Sequence, residues 1–133
     1  MKIVDIEGVG KTYADKLERA GVETVERLLA RAAAKKERVK LAADTGINEA
    51  LILEWVNHAD LMRINGVGSE YSDLLEAAGV DSCAELAQRR ADNLALKMNQ
   101  LNQQKKLVRR TPTEAEVLRW IDEARGLPKV VTH

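Results

Sequence analysis

Apolar positions recur at three- and four-residue spacing along this chain, and almost nowhere in strict alternation, so the pattern predicts helices and no strand. Over residues 11–20, Ala14, Leu17 and Ala20 share one face, and Gly21 stands where a left-handed residue ends the helix. The same layout returns over residues 69–78 with Gly79 at its end. Further on, Ile47, Leu51, Trp55 and Ala59 fall on one stripe, and Leu118, Ile121 and Ala124 line another.

Capping residues mark the starts. Thr24 opens a second helix in the first half and Ser82 opens its counterpart, where Ser82-Cys83-Ala84-Glu85 has capping-box form. A basic third helix is predicted over residues 31–40 and again over residues 89–110. Thr45-Gly46-Ile47-Asn48 breaks the first of these and starts a fourth helix. The equivalent start is Thr111-Pro112-Thr113-Glu114, read with Thr111 as cap, Pro112 in the first helical position and Glu114 completing the box.

These elements belong to a duplication. Ile6-x-Gly8-Val9-Gly10-x-x-Tyr13-x-Asp15-x-Leu17-Glu18-x-Ala20-Gly21-Val22 returns at a constant offset of 58, beginning at Ile64, and 12 of the 23 residues from 6 to 28 are identical. One supersecondary unit is used twice. Trp55 and Trp120 are 65 apart, which places about seven extra residues in the second unit's third helix, near residues 99–105. The division is residues 1–60 for the first unit and 61–133 for the second, with its longer third helix and a short C-terminal tail. The helix carrying Trp55 is expected to run on through residues 59–64 and join them. Only Met1 to Ile6 precede the first glycine hairpin, too few for a leading helix, so that hairpin is expected to rely on packing against the second unit.

Aromatic residues are only 3% of the chain, with no Phe, so the interior is built from Leu, Ala, Val and Ile. Pieces of roughly 60 residues are marginal alone, and two units in 133 residues are expected to share one core. The charge balance is even, 21 basic against 21 acidic residues, so no global field draws the chain to nucleic acid or to a membrane, and any such binding is local. No apolar run approaches a membrane span and Met1-Lys2-Ile3-Val4-Asp5 is no signal peptide, which makes the cytoplasm the expected compartment.

Candidate chemistry is sparse. Cys83 is the only cysteine and aligns with Val25, a core position, which excludes an internal disulfide and a thiolate metal cluster. His58 and His133 have no partner at metal-site spacing, and no Ser/His/Asp set is present, so neither an enzyme nor a cofactor is expected. Gly8-Val9-Gly10-Lys11-Thr12 lacks the first glycine and the preceding strand of a phosphate loop. Tyr13 and Tyr71 are read as half-buried packing residues, and the tryptophans as core anchors. Two basic stretches remain. Arg27, Arg31, Lys35, Lys36, Arg38 and Lys40 face only Glu37, while Arg89, Arg90, Lys97, Lys105, Lys106, Arg109 and Arg110 face only Asp92.

Ile-x-Gly-Val-Gly between two helices, followed by an apolar helix and a terminating glycine, resembles the helix-hairpin-helix module. The first unit, through Thr45-Gly46-Ile47 to Ala59, is similar to the helical N-terminal domain of RadA-type recombinases. The whole chain resembles an uncharacterised bacterial family of paired helix-hairpin-helix-like domains. The resemblance implies an all-α fold of two tandem helix-hairpin-helix (SAM-like) units and a non-enzymatic, sequence-independent contact with the DNA phosphate backbone. It carries over to Gly8, Val9, Gly10, Lys11 and Thr12 in the first copy and to Gly66, Gly68 and Ser69 in the second. Arg31, Lys35, Lys36, Arg89 and Arg90 are the auxiliary contacts. Glu70 opposes a phosphate at the second hairpin and makes the first the better site. The alternative on the same fold is a protein-interaction or scaffold module without DNA affinity, its partner an acidic protein. The plain reading of the glycines, that they only let helices turn sharply, stands beside both.

Overall fold

A computed structural model describes residues 1–133, and the chain forms eight α-helices with no strand beyond an isolated bridge between Lys2 and Thr24. They are α1 (Gly10–Arg19), α2 (Val25–Ala32), α3 (Lys35–Thr45), α4 (Glu49–Leu61), α5 (Ser69–Ala77), α6 (Cys83–Leu86), α7 (Ala91–Lys105) and α8 (Glu114–Arg125). No helix is long and apolar enough to cross a membrane. The chain divides into two compact units, Met1–Asp60 with Val130–His133, and Leu61–Lys129. Chain order alone would leave Val130–His133 with the second unit; the structure groups these residues with the first.

The repeat is most faithful where a helix ends. After α1, Gly21 has φ +86°, its N–H donates to the Glu18 carbonyl at 3.0 Å, and the Val22 N–H donates to Leu17 at 2.8 Å. After α5, Gly79 has φ +92°, its N–H reaches Glu76 at 2.9 Å and the Val80 N–H reaches Leu75 at 2.9 Å. This is the Schellman closure, in which a left-handed residue turns two orphan carbonyls back onto the following amides. The turn drives Val22 and Val80 into the interior. The next helices then start on hydroxyl caps: Thr24 accepts from the Arg27 amide and Ser82 from the Glu85 amide, both at 3.1 Å. The box expected at Ser82 is half formed, because the Glu85 carboxylate takes Nε of Arg89 at 3.3 Å instead of turning back.

The short segment before the first hairpin is secured within its own unit. Ile3 donates its N–H to Glu23 at 3.1 Å and Val25 donates to Met1 at 3.0 Å, and a single 3-10 turn (Ile3–Asp5) buries Ile3 and Ile6. Backbone pairing thus stands where the second copy has a full leading helix, α4.

Elsewhere the structure departs from the expected layout. The helix predicted over residues 31–40 is two helices, because α2 ends at Ala32 and the extended backbone of Ala34 restarts the chain into α3. Arg89 and Arg90 precede α7 instead of lying within it. The extra residues of the second unit are shared between helix and loop: α7 has 15 residues against 11 in α3, and the connection that follows is also longer. That connection folds back through Asn102, whose side-chain amide donates to the Val108 carbonyl at 3.0 Å and accepts from the Val108 N–H at 2.9 Å. The cap of α8 is Thr113, with a complete box to Glu116, two residues beyond Thr111. Val117, Trp120, Ile121 and Ala124 are consequently buried, and Leu118, expected on the inner stripe, is 48% exposed. In α4 the buried apolar residues are Ile52, Trp55, Val56, Ala59 and Leu61, joined by the polar Asn57, His58 and Asp60, with Leu51 only half-buried. Within the second unit, Leu61, Ile64, Leu74, Leu75, Leu86, Met98 and the inner face of α8 form one hydrophobic cluster.

Candidate nucleic-acid interface

Each hairpin rests on the same three side-by-side groups. Gly8 has φ +86°, and a Cβ there would lie 3.9 Å from Trp55 Nε1; the Trp55 ring in turn packs on Tyr13 at 5.2 Å and 58°. Gly66 has φ +91°, a Cβ would lie 3.3 Å from Trp120 Nε1, and that ring packs on Tyr71 at 5.2 Å and 52°. The first glycine of each phrase is therefore required by its backbone and hemmed by an indole edge, more tightly in the second copy. The valines between the glycines are buried, and their amides close short turns onto Ile6 at 3.2 Å and Ile64 at 3.1 Å. The tilted aromatic pairs give the tyrosines and tryptophans the packing role expected of them.

The copies diverge at the third position. Gly10 has φ +64° and begins α1, whose next residues, Lys11 and Thr12, are exposed. Gly68 is extended, with φ −98° and ψ −165°, and caps α5 without any side-chain bond. Its neighbour Ser69 is half-buried and its carbonyl accepts from Ser72 Oγ at 2.8 Å, while Glu70 adds an acid to the first turn. The first turns of α2 to α8 all carry an acidic residue; that of α1 carries none and has no side-chain cap. The leading amides of α1 have no helical acceptor, and the helix dipole adds positive potential beside Lys11. Such an arrangement can hold an anion of phosphate size.

The basic residues take separate places. Arg31 donates from Nη1 to the Ala20 carbonyl at 2.6 Å and from Nη2 to Asp44 at 3.2 Å. Arg89 donates from Nη2 to Ala78 at 3.4 Å and from Nε to Glu85 at 3.3 Å. In the two carbonyl bonds donor and acceptor are both displaced by the repeat offset, although the carboxylate partners are not, so these arginines are one duplicated device that closes the C-terminal ends of α1 and α5. That is a helix length, about 15 Å, from the hairpin glycines, and neither arginine joins a hairpin. Arg90 is exposed and paired to Asp92 at 2.9 Å, which holds the Asp92 carboxyl below the usual range. Lys35 and Lys36 are exposed at the start of α3 and carry no ion pair. Arg38 is fully buried.

Two clefts gather side chains that a reading of the repeat alone does not connect. Gly66, Gly68, Ser69, Glu70 and Tyr71 share one with Val108, Arg109 and Arg110. There the Tyr71 hydroxyl donates to the Arg110 carbonyl at 2.9 Å, and Arg110 makes two bonds to Glu116, at 2.7 and 3.0 Å. Arg110, and after it the Thr113 amide, pull the Glu116 carboxyl down to about 2. Arg109 is exposed and unpaired, and supplies the second hairpin with a cation that its own first turn lacks. The Arg-Arg pair at 109–110 was visible as part of a basic run, but its place depends on the loop turning back at Asn102. In the first unit Lys16 and Arg19 meet Arg31, Asp44 and Thr45 where α1, α2 and α3 all end. Three negative helix ends account for that gathering of cations.

A family model described as Domain of unknown function (DUF4332) matches residues 7–127. Comparison with curated proteins and with solved structures gives no match.

Proposed function

The chain belongs to the DUF4332 family, and on that premise we propose that its units are tandem helix-hairpin-helix modules that bind DNA without sequence preference and without catalysis, in the cytoplasm. The observation that carries this reading is the start of α1, alone among the eight helices in having neither an acid nor a side-chain cap, with Lys11 and Thr12 exposed beside it. The amides of Gly10, Lys11 and Thr12 would donate to a phosphate oxygen, with the Lys11 ammonium as the second positive group. Lys35 and Lys36 are the auxiliary cations left free on the same unit. At the second hairpin Glu70 opposes the phosphate and Arg109 partly offsets it.

The test is a titration of labelled duplex and single-stranded DNA at about 50 and 200 mM salt; three phosphate contacts lower the affinity about 40-fold between them. Absence of binding at the lower salt removes the proposal. Lys11→Glu weakens binding to all sequences alike, and an unchanged affinity would take the first hairpin out of the contact.

A second reading, a protein-interaction or scaffold module without DNA affinity, is supported by a different observation. Arg31, Arg38, Arg89, Arg90 and Arg110 all have their guanidinium groups engaged by this chain's own carbonyls or carboxylates. Five arginines thus contribute less to a free basic surface than their number suggests. Failure of the DNA titration makes this the surviving reading.

A further inference from the structure

Residues 130–133 belong to the first unit although the second unit precedes them in sequence. Pro128, Lys129 and Val130 are exposed, whereas Val131 is 3% exposed, and the segment forms no helix. Both backbone groups of Thr132 are held: its N–H donates to the Ala33 carbonyl at 2.9 Å and its carbonyl accepts from Nη2 of Arg38. Arg38 is 0% exposed, and its other donors reach Ala32 at 3.2 Å, Ala33 at 2.6 Å and the Glu49 carboxylate at 3.4 Å. Ala32 and Ala33 close α2, whose final carbonyls have no helical donor. One planar guanidinium thus satisfies the end of a helix and reads the backbone of an extended segment beside it. Counting from the helix caps, the residue of α7 equivalent to Arg38 of α3 is Leu94, so the second unit lacks this fork.

We propose that Ala33 and Arg38 form a seat on the first unit for an extended peptide, and that Val130–His133 is a detachable occupant of it in the same chain. Two backbone bonds and one buried valine are opposed by the entropy of ordering four residues, and the opposing terms are of similar size. Docking is therefore reversible. When the tail leaves, Arg38 keeps Ala32, Ala33 and Glu49 as acceptors, so its charge stays compensated and the unit stays folded.

Amide hydrogen exchange on the full chain tests this directly. The Thr132 amide should be protected at least about tenfold relative to a free peptide, yet open far more often than that of Leu41 in the middle of α3, with a weaker dependence on denaturant. Exchange at the free-peptide rate would overturn the docking, and exchange matching Leu41 at every denaturant concentration would overturn the detachment. Arg38→Met should bring Thr132 to the free-peptide rate with Leu41 still protected; unaltered protection of Thr132 would remove the fork from the argument. If that variant does not fold, Val131→Ser is the replacement, with the same shift expected and the same reversal if it is missing.

Discussion

Gly66 and Gly68 are two residues apart and answer opposite demands. Gly66 has φ +91° with an indole nitrogen 3.3 Å from where a Cβ would sit, whereas Gly68 has an ordinary extended backbone and open space around it. Gly66→Ala should therefore cost at least about 1–2 kcal/mol from the left-handed backbone, with further loss from displacing Trp120. Gly68→Ala should be neutral or stabilise by about 0.4–1 kcal/mol, through a less flexible unfolded chain. Urea denaturation of the two variants checks this, and equal costs would show that the second glycine carries a constraint of its own. In the first copy Gly8→Ala should cost less than Gly66→Ala, since the Trp55 nitrogen stands 3.9 Å away. The phrase Gly-x-Gly was plain in the amino-acid sequence. Which of its glycines is needed was not, because that follows from an indole contributed by a helix far along the chain and from backbone angles that the next element imposes.

At the scale of elements, the clearest consequence concerns the start of α8. Thr113→Ala should cost about 1 kcal/mol and Thr111→Ala much less, as thermal denaturation would show. Both Thr111-Pro112-Thr113-Glu114 and Thr113-Glu114-Ala115-Glu116 have capping-box spacing, and local pattern does not choose between them. Burial of Val117, Trp120 and Ile121 does, and it leaves Leu118 outside. The same box carries a pH dependence. The Glu116 carboxyl titrates at about 2 in the fold against an ordinary 4.5, so its stabilisation is complete above about 4.5 and is lost as the pH falls towards 2. Glu116→Gln should lower the Tm at pH 6 and flatten its decline between pH 4.5 and 2; a variant that declines as steeply as the parent would remove this pair from the acid response. Being exposed, the pair makes a modest contribution. Helix ends governed by Gly21, Gly79, Thr24 and Ser82 were legible because their determinants lie within a few residues. The inward turn of Arg31, Arg38 and Arg89 was not. A run of basic residues looks like a solvated face, and only the positions of distant carbonyls show that three of its members point home.

For the whole molecule, the balance of 21 basic and 21 acidic residues means that any polyanion is met by a local patch. The first hairpin with Lys35 and Lys36 offers about three phosphate contacts, for which the slope of log affinity against log salt should be about −2.7. A measured slope steeper than about −5 would require surfaces beyond the first hairpin and its lysines. Both tryptophans of the chain stand against a hairpin glycine, each with a tyrosine ring 5.2 Å away. This gives the molecule an optical probe at either hairpin. Excitation of Tyr13 or Tyr71 passes to an indole whose emission depends on the packing of the adjoining turn, and replacing one tryptophan with phenylalanine leaves a single-colour reporter of the other. A ligand seated on one hairpin can then be assigned to its copy by fluorescence alone.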